Sequence, residues 1–184
     1  MFSLSTPRVL LRRWRPADKH AFALINADPE VARYLPGVMP RALSDALIER
    51  FETHFEQYGF GRWAVERRED GALLGFVGGQ TVHFDAPFVP AVEIGWRLGR
   101  PAWGQGYARE AAEATLRDLR QRIGLTDIVS FTVPANRPSW GLMERLGFRR
   151  DLAGDFAHPQ LPPDHPLSLH WLYRARLNDE GRPC

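Results

Sequence analysis

Hydrophobic and polar positions alternate along the chain in two ways, and these divide it into strand-like and helix-like segments. Period-two alternation or short apolar runs predict strands at residues 8–15, 60–67, 73–84, 91–98, 127–133 and 167–177. Apolar residues at helical spacing predict helices at residues 17–28, 44–58, 107–123 and 138–146, with one further turn at 30–35. Ser44 is a candidate N-cap, and Gly59 and Gly124 are natural helix ends.

The order of these elements predicts the fold class. One strand and two helices precede several antiparallel strands, and a strand–helix–strand–helix–strand series follows. This order indicates a mixed α/β (α+β) sheet, with a right-handed crossover between the strands at Glu93 and Asp127. Since the 184 residues show no repeat and no linker, we expect one domain over residues 1–184.

Charge gives no indication of a nucleic-acid partner. The formal net charge is only +2, whereas nucleic-acid binders concentrate basic residues in a stripe. The basic cluster near the N-terminus alternates with apolar residues, which predicts a solvated strand face; it consists of Arg8, Arg12, Arg13 and Arg15.

Cysteine and histidine usage argues against disulfide and metal chemistry. Cys184 is the only cysteine, so neither an intramolecular disulfide nor a thiolate cluster can form. The six histidines lack metal-binding spacing, and we predict no metal. No apolar run approaches the roughly 20 residues that span a bilayer, and no signal-peptide pattern is visible. We therefore expect a cytoplasmic protein without a membrane partner.

The most informative chemistry lies directly after the strand at residues 91–98. There the chain reads Trp-Gly-Gln-Gly-Tyr-Ala-Arg-Glu over residues 103–110 and turns helical at once. Gly104 and Gly106 permit a positive φ and close approach of a ligand. Backbone N–H groups at such a helix start converge on one point and bind phosphate. A dinucleotide site would need a third glycine, and a P-loop would need Gly-Lys-Ser/Thr; both are missing.

A second motif opens and closes the next helix. Asn136 and Ser139 bring an amide and a hydroxyl to a strand-to-helix junction, and Leu146-Gly147-Phe148 ends the helix. The two polar residues are either helix caps or ligand contacts, and the sequence leaves both interpretations open.

Three segments together carry a family resemblance: VEIGWRL, AWGQGYAREA and NRPSWGLMERLGF. On these segments the chain resembles the GCN5-related N-acetyltransferase (GNAT) superfamily, and most closely its ribosomal-protein (RimJ/RimL-type) branch, over about residues 6–177. The resemblance implies a central, mostly antiparallel twisted sheet flanked by helices, with splayed strands at the acetyl-coenzyme A site. The family's phosphate loop starts with Gln or Arg, which Trp103 replaces here, as is common in this branch.

The resemblance implies acetyl-coenzyme A as the donor and direct transfer to a primary amine in a ternary complex. The pyrophosphate would lie on the glycine turn, and the pantetheine arm would pair with the backbone of the preceding strand. The implied donor contacts are Trp96, Arg97, Leu98, Gly104, Gln105, Gly106, Tyr107, Ala108, Arg109, Asn136 and Ser139.

Catalysis requires a base for the ammonium and a group that stabilises the leaving thiolate. Glu93 is the candidate base, acting through water; alternatively it pairs with an arginine or only attracts the ammonium. Ser139 is the candidate acid, by analogy with the branch. The candidates that line the acceptor site, each with a structural role as its alternative, are Tyr34, His83, Asp85 and Trp140.

These inferences lead to one leading functional hypothesis and one rival. The first is an N-acetyltransferase that acts on a protein N-terminus or a small amine, as a monomer or a homodimer. The rival is a non-catalytic acyl-coenzyme A sensor or interaction module, which would retain the phosphate loop but not depend on Glu93 or Ser139.

Overall fold

The computed structural model describes residues 2–184 and contains one eight-stranded sheet. Its strands are β1 (Leu4–Ser5), β2 (Val9–Arg12), β3 (Arg62–Arg67), β4 (Leu73–Thr81), β5 (Val92–Leu98), β6 (Asp127–Thr132), β7 (Arg149–Ala157) and β8 (Leu169–Arg176). Its helices are α1 (Asp18–Ala27), α2 (Pro29–Ala32), α3 (Arg41–Tyr58), α4 (Tyr107–Gln121) and α5 (Arg137–Arg145), and Arg100–Ala102 form a short 3₁₀ turn. The predicted mixed α/β class is confirmed.

The sheet has the order β1-β2-β3-β4-β5-β6-β8-β7, and β5–β6 is its parallel pair. The other neighbouring strands run antiparallel. Within residues 2–184, the β5–β6 ladder consists of the single pair Glu93–Val129, whereas β4 and β5 stay in register from Thr81–Val92 to Gly75–Leu98. The two parallel strands therefore splay toward their C-terminal ends, as the family resemblance implies.

Helices cover both faces of the sheet. On one face α4 buries an alanine- and leucine-rich stripe, consisting of Ala111, Ala112, Leu116 and Leu119. On the other face α1 and α3 contribute Phe22 and Phe51, which pack around Phe76 of β4. Since side chains alternate along a strand, Phe76 and its neighbour Val77 belong to opposite clusters. The two periodicities in the sequence thus place each helix against its own sheet face.

Two strands were not predicted. β7 has the sequence RRDLAGDFA and is mostly exposed. Its apolar residues do not alternate regularly with polar ones, so the sequence pattern does not predict a strand there. It pairs with β8, which itself lies beside β6. β1 is only two residues long, too short for a periodic signal.

Two further sequence predictions were wrong. Ser44 is not the N-cap of α3, because the helix begins at Arg41; its buried Oγ accepts a hydrogen bond from Asn26 Nδ2 (2.8 Å). Arg12 does not lie on a solvated strand face. It is buried, and its guanidinium donates to both carboxylate oxygens of Asp18 (2.7 and 2.8 Å) and to Glu66 (2.6 Å).

Protonation of His54 is expected to destabilise the fold as the pH falls below about 6.5, the ordinary value for histidine. Its Nδ1 donates to the Phe60 carbonyl (2.8 Å), so Nε2 accepts from the Thr81 N–H (3.0 Å). Burial lowers the pKa of His54, and the nearby His83 and Arg62 lower it further. Protonation would place a second ring proton on Nε2, where it would face the Thr81 N–H and remove this hydrogen bond.

Because the unfolded chain then binds more protons than the native state, the free energy of unfolding should fall by up to about 1.4 kcal/mol per pH unit for this one site. Urea unfolding between pH 7.5 and 5.5 measures this slope. His54→Gln should flatten it, and His20→Gln, a substitution at an exposed histidine, is the comparison variant. Part of the slope should remain, since burial also lowers the pKa of His158 and His170. An identical slope in the parent protein and His54→Gln would contradict the prediction.

Candidate active site

The glycine turn adopts the conformation that its sequence suggests. Gly104 and Gly106 have φ values of +71° and +83°, in the left-handed region, and Gly106 is the N-cap residue of α4. Within residues 2–184, no backbone N–H from Gly104 to Arg109 donates to a protein oxygen. Six exposed or helix-terminal donors are therefore available to an anion at the positive end of the α4 dipole.

Side chains from both sides hold this turn in place. Trp103 Nε1 donates to the Leu98 carbonyl at the end of β5 (2.7 Å), which gives the unusual first residue of the loop a structural role. Arg8 Nη1 donates to the Gln105 carbonyl (2.9 Å), and Arg8 Nε pairs with Glu110 of α4 (2.7 Å). Sequence reasoning did not connect Arg8 with this turn, because nearly a hundred residues separate them.

The remaining residues of the turn differ in exposure. Tyr107 is buried beneath the Arg8 guanidinium, which lies 4.8 Å from the ring centre. Ala108 is half-buried and Gln105 is exposed. Arg109 is also exposed and pairs with Glu113 one turn further along α4 (2.8 Å). The side chains of Gln105 and Arg109 thus leave the backbone donors accessible.

A cavity of about 460 Å³ opens beside the splayed strands. Six of the predicted site residues line it, namely Tyr34, Glu93, Trp96, Arg97, Asn136 and Ser139. Leu98 and the glycine turn lie outside its lining, at the far end of β5. The volume is within the range of small-molecule sites, roughly 300–1,000 Å³.

The structure does not bring the other three acceptor-site candidates into this lining. His83 and Asp85 are exposed on the loop after β4, where the His83 ring lies near Tyr58. Trp140 donates from Nε1 to the Pro134 carbonyl (3.1 Å) and packs near Trp171.

Glu93 is engaged in an ion pair inside the cavity. It accepts from Arg62 Nη2 (2.7 Å), and Arg62 Nε donates to Gln80 Oε1 (3.1 Å). A Cβ at Gly95 would collide with Arg62 Nη1. Because glycine has no Cβ, the Arg62 guanidinium can pass over this position and reach Glu93. Burial raises the pKa of Glu93, and Arg62 opposes that rise. Arginine pairing, one of the alternatives for Glu93, is therefore present.

Asn136 and Ser139 have distinct structural roles. Asn136 is the N-cap of α5, since its Oδ1 accepts from the Ser139 N–H (3.4 Å), and its Nδ2 donates to Thr132 Oγ1 (3.0 Å). Ser139 is not the cap. Its hydroxyl lines the cavity and has no protein hydrogen bond within residues 2–184. This hydroxyl is free to contact a ligand.

Sequence reasoning missed several cavity residues, including Arg62, Gln80, His158 and His170. The two histidine rings lie 5.0 Å apart, and burial lowers the pKa of both. His170 Nδ1 donates to the Ser168 carbonyl (3.0 Å). His158 begins the proline-rich loop at residues 158–166, whose Gln160 and Leu161 also border the cavity.

An open mixed sheet with one splayed parallel pair, followed by a glycine turn at a helix start, is the arrangement that the resemblance to acyltransferases of mixed α/β fold implies. The chain belongs to the acetyltransferase (GNAT) family, whose sequence model matches residues 8–149. Known proteins of similar sequence and structure agree with this assignment.

An uncharacterized N-acetyltransferase of Bacillus subtilis, YnaD, is 27% identical over 149 residues, which cover 80% of this chain and 83% of that protein. The crystal structure of an acetyltransferase from Agrobacterium tumefaciens is 27% identical with a TM-score of 0.75, covering 95% of this chain and 94% of the other. RimJ of Mycobacterium smegmatis, solved in complex with CoA-disulfide, shares the fold with a TM-score of 0.73 at 19% identity, over 95% and 86% of the two chains.

Residues 2–184 contain neither a candidate membrane span nor a candidate metal cluster. No helix there has both the length and the hydropathy needed to cross a membrane. The same residues contain no group of three or more His, Cys, Asp or Glu side chains arranged to hold a metal ion.

Proposed function

We propose that the protein transfers an acetyl group from acetyl-coenzyme A to a primary amine, either a protein N-terminus or a small amine, within a ternary complex. The observation that carries the proposal is a cavity beside the splay of β5 and β6, lined by the half-buried Glu93 and by Ser139, whose hydroxyl has no protein hydrogen bond within residues 2–184. Residues 1–184 would act as one acetyltransferase domain.

The residues present fit the donor. The unpaired N–H groups of residues 104–109 suit a diphosphate, and positive φ at both glycines keeps Cβ atoms out of the turn. The splay frees one backbone edge of β5 near Trp96, Arg97 and Leu98, which suits a peptide-like arm. When bound, acetyl-coenzyme A supplies an activated thioester.

Two cavity residues supply the proton chemistry in this proposal. Glu93 accepts the ammonium proton through water, and its raised pKa makes it a stronger base than an exposed carboxylate, provided that it stays ionised. Arg62 keeps it ionised by pairing with it. The amine would attack the thioester carbonyl and the C–S bond would break; Ser139 Oγ–H, which has no protein hydrogen bond within residues 2–184, would stabilise or protonate the leaving thiolate.

Glu93→Gln should lower kcat/KM by about 10²- to 10⁴-fold, the usual range for general acid–base catalysis, and leave acetyl-coenzyme A affinity within about threefold. Ser139→Ala should also lower kcat with little change in affinity. Thiol release with a panel of amines and N-terminal peptides measures activity, and calorimetry measures binding. Glu69→Gln, an exposed carboxylate in the β3–β4 turn, is the control and should behave like the parent protein.

Three outcomes would count against parts of this proposal. Full activity in Glu93→Gln would remove Glu93 as the base. Tight donor binding without turnover of any amine would favour the acyl-coenzyme A sensor. Absence of binding to both coenzyme A and acetyl-coenzyme A would overturn the proposed function altogether.

A further inference from the structure

The cavity contains a half-buried arginine, Arg97, without an acidic partner. Glu93, Gly95 and Arg97 alternate along β5, so their side chains share one face, and all three line the cavity. Arg97 Nη1 donates to Asn26 Oδ1 (2.7 Å), and within residues 2–184 no carboxylate lies within ion-pair distance of its guanidinium. A charge that is partly withdrawn from water and has no countercharge is unfavourable, which makes Arg97 a candidate for anion binding.

Charge around Arg97 is unbalanced. Arg62 and Arg97 both lie over the ring of Phe76, with guanidinium carbons 5.2 and 5.6 Å from its centre. Glu93 is the only carboxylate in the lining, and it already pairs with Arg62. Burial lowers the pKa of Arg97 to about 10, and the charge of Arg62 adds to this effect. Arg97 is still charged at neutral pH. An anion bound to its guanidinium, in addition to Glu93, would offset both the burial of this charge and its repulsion by Arg62.

A second layer of buried residues orients the Arg97 side chain. Asn26 Nδ2 donates to Ser44 Oγ (2.8 Å), and both residues are buried between α1 and α3. This bond fixes the amide so that its oxygen faces Arg97. The neutral contact uses one of the five N–H donors of the guanidinium and leaves donors for a planar, two-oxygen partner.

We propose that Arg97 binds a carboxylate of the acceptor, so that the substrate class is a small molecule carrying both a primary amine and a carboxylate, as in an amino acid. The inference rests on the proposed function and narrows its acceptor. Glu93 and Arg97, on the same face of β5, attract the two opposite charges of such a molecule. Arg97 contributes its side chain here, whereas its expected donor contact is through its backbone.

Matched pairs that differ only in the carboxylate test the proposal: tyrosine with tyramine, tryptophan with tryptamine, and γ-aminobutyrate with propylamine. The parent protein should favour the carboxylate member of at least one pair by tenfold or more in kcat/KM. Arg97→Gln should raise KM for that amino acid by about 10- to 100-fold, the range for a hydrogen bond to a charged group, and so remove its preference over the matching amine. Arg97→Lys should retain part of the preference.

Acetyl-coenzyme A affinity, measured by calorimetry, should be the same in Arg97→Gln and the parent protein. Arg176→Gln, an exposed arginine on β8 outside the cavity lining, is the matched control and should keep the preference. If amines are acetylated as well as their carboxylate partners, or if Arg97→Gln lowers both equally, the carboxylate assignment fails and the proposed function stands. If no amine of either kind is acetylated, the proposed function itself fails and takes this inference with it.

Discussion

Gly106→Val is expected to weaken acetyl-coenzyme A binding by about 100-fold or more, the effect of losing one or two hydrogen bonds to a charged group. Gly106 has a φ of +83°, which costs a residue with a Cβ about 1–2 kcal/mol. The added Cβ would also lie 3.3 Å from Arg8 Nη2, the side chain that fixes the turn. If the backbone leaves its positive φ, or if Arg8 shifts away from the added Cβ, the N–H groups that we assign to the diphosphate move.

Gly71→Val provides the matched control. Gly71 has a similar φ of +74° in the turn between β3 and β4, and an added Cβ there meets no atom within 4 Å. Both variants should therefore lose comparable stability in urea unfolding. Calorimetry should show normal coenzyme A affinity for Gly71→Val alone. Equal affinities for the two variants would mean that the turn before α4 does not hold the diphosphate.

Short-range signals predicted the parts of this fold that depend on neighbouring residues. The turn at Gly104 and Gly106 and the buried stripe of α4 follow from local backbone preferences and from period 3.6. β7 could not be predicted in this way, because its exposed sequence becomes a strand by pairing with β8. Strand pairing is a tertiary contact, and propensity alone does not determine it.

The candidate site was predicted to the same limited extent. Asn136, Ser139 and Glu93 lie next to motifs and were found. Arg62 was missed, since its place opposite Glu93 depends on the register that sets Arg62 against Gly78 and Gln80 against Glu93. A shift of one residue would turn these side chains to the other face, and no pattern within a single strand specifies that register.

The Arg62–Glu93 pair should be strongly coupled in stability. Arg62→Met is expected to reduce the free energy of unfolding by about 3–5 kcal/mol at pH 7, because it leaves the Glu93 carboxylate, whose side chain is only 17% exposed, without its partner. The double variant Arg62→Met/Glu93→Gln should recover most of this loss, since no buried charge remains. Arg13→Met, which breaks the more exposed pair with Glu52, should cost about 0–1 kcal/mol.

The effect of Arg62→Met should depend on pH in a defined direction. Burial raises the pKa of Glu93 above its ordinary 4.5, and removal of Arg62 removes the opposing interaction, so the pKa rises further. The native variant then holds a proton at pH values where the parent protein has released it, so its stability deficit relative to the parent should be larger at pH 7 than at pH 5. If Glu93 is the base, the acid limb of kcat/KM should move to higher pH in the same variant. Urea unfolding at pH 5 and 7 and a pH–rate profile measure these effects; a deficit that is equal at both pH values would contradict the prediction.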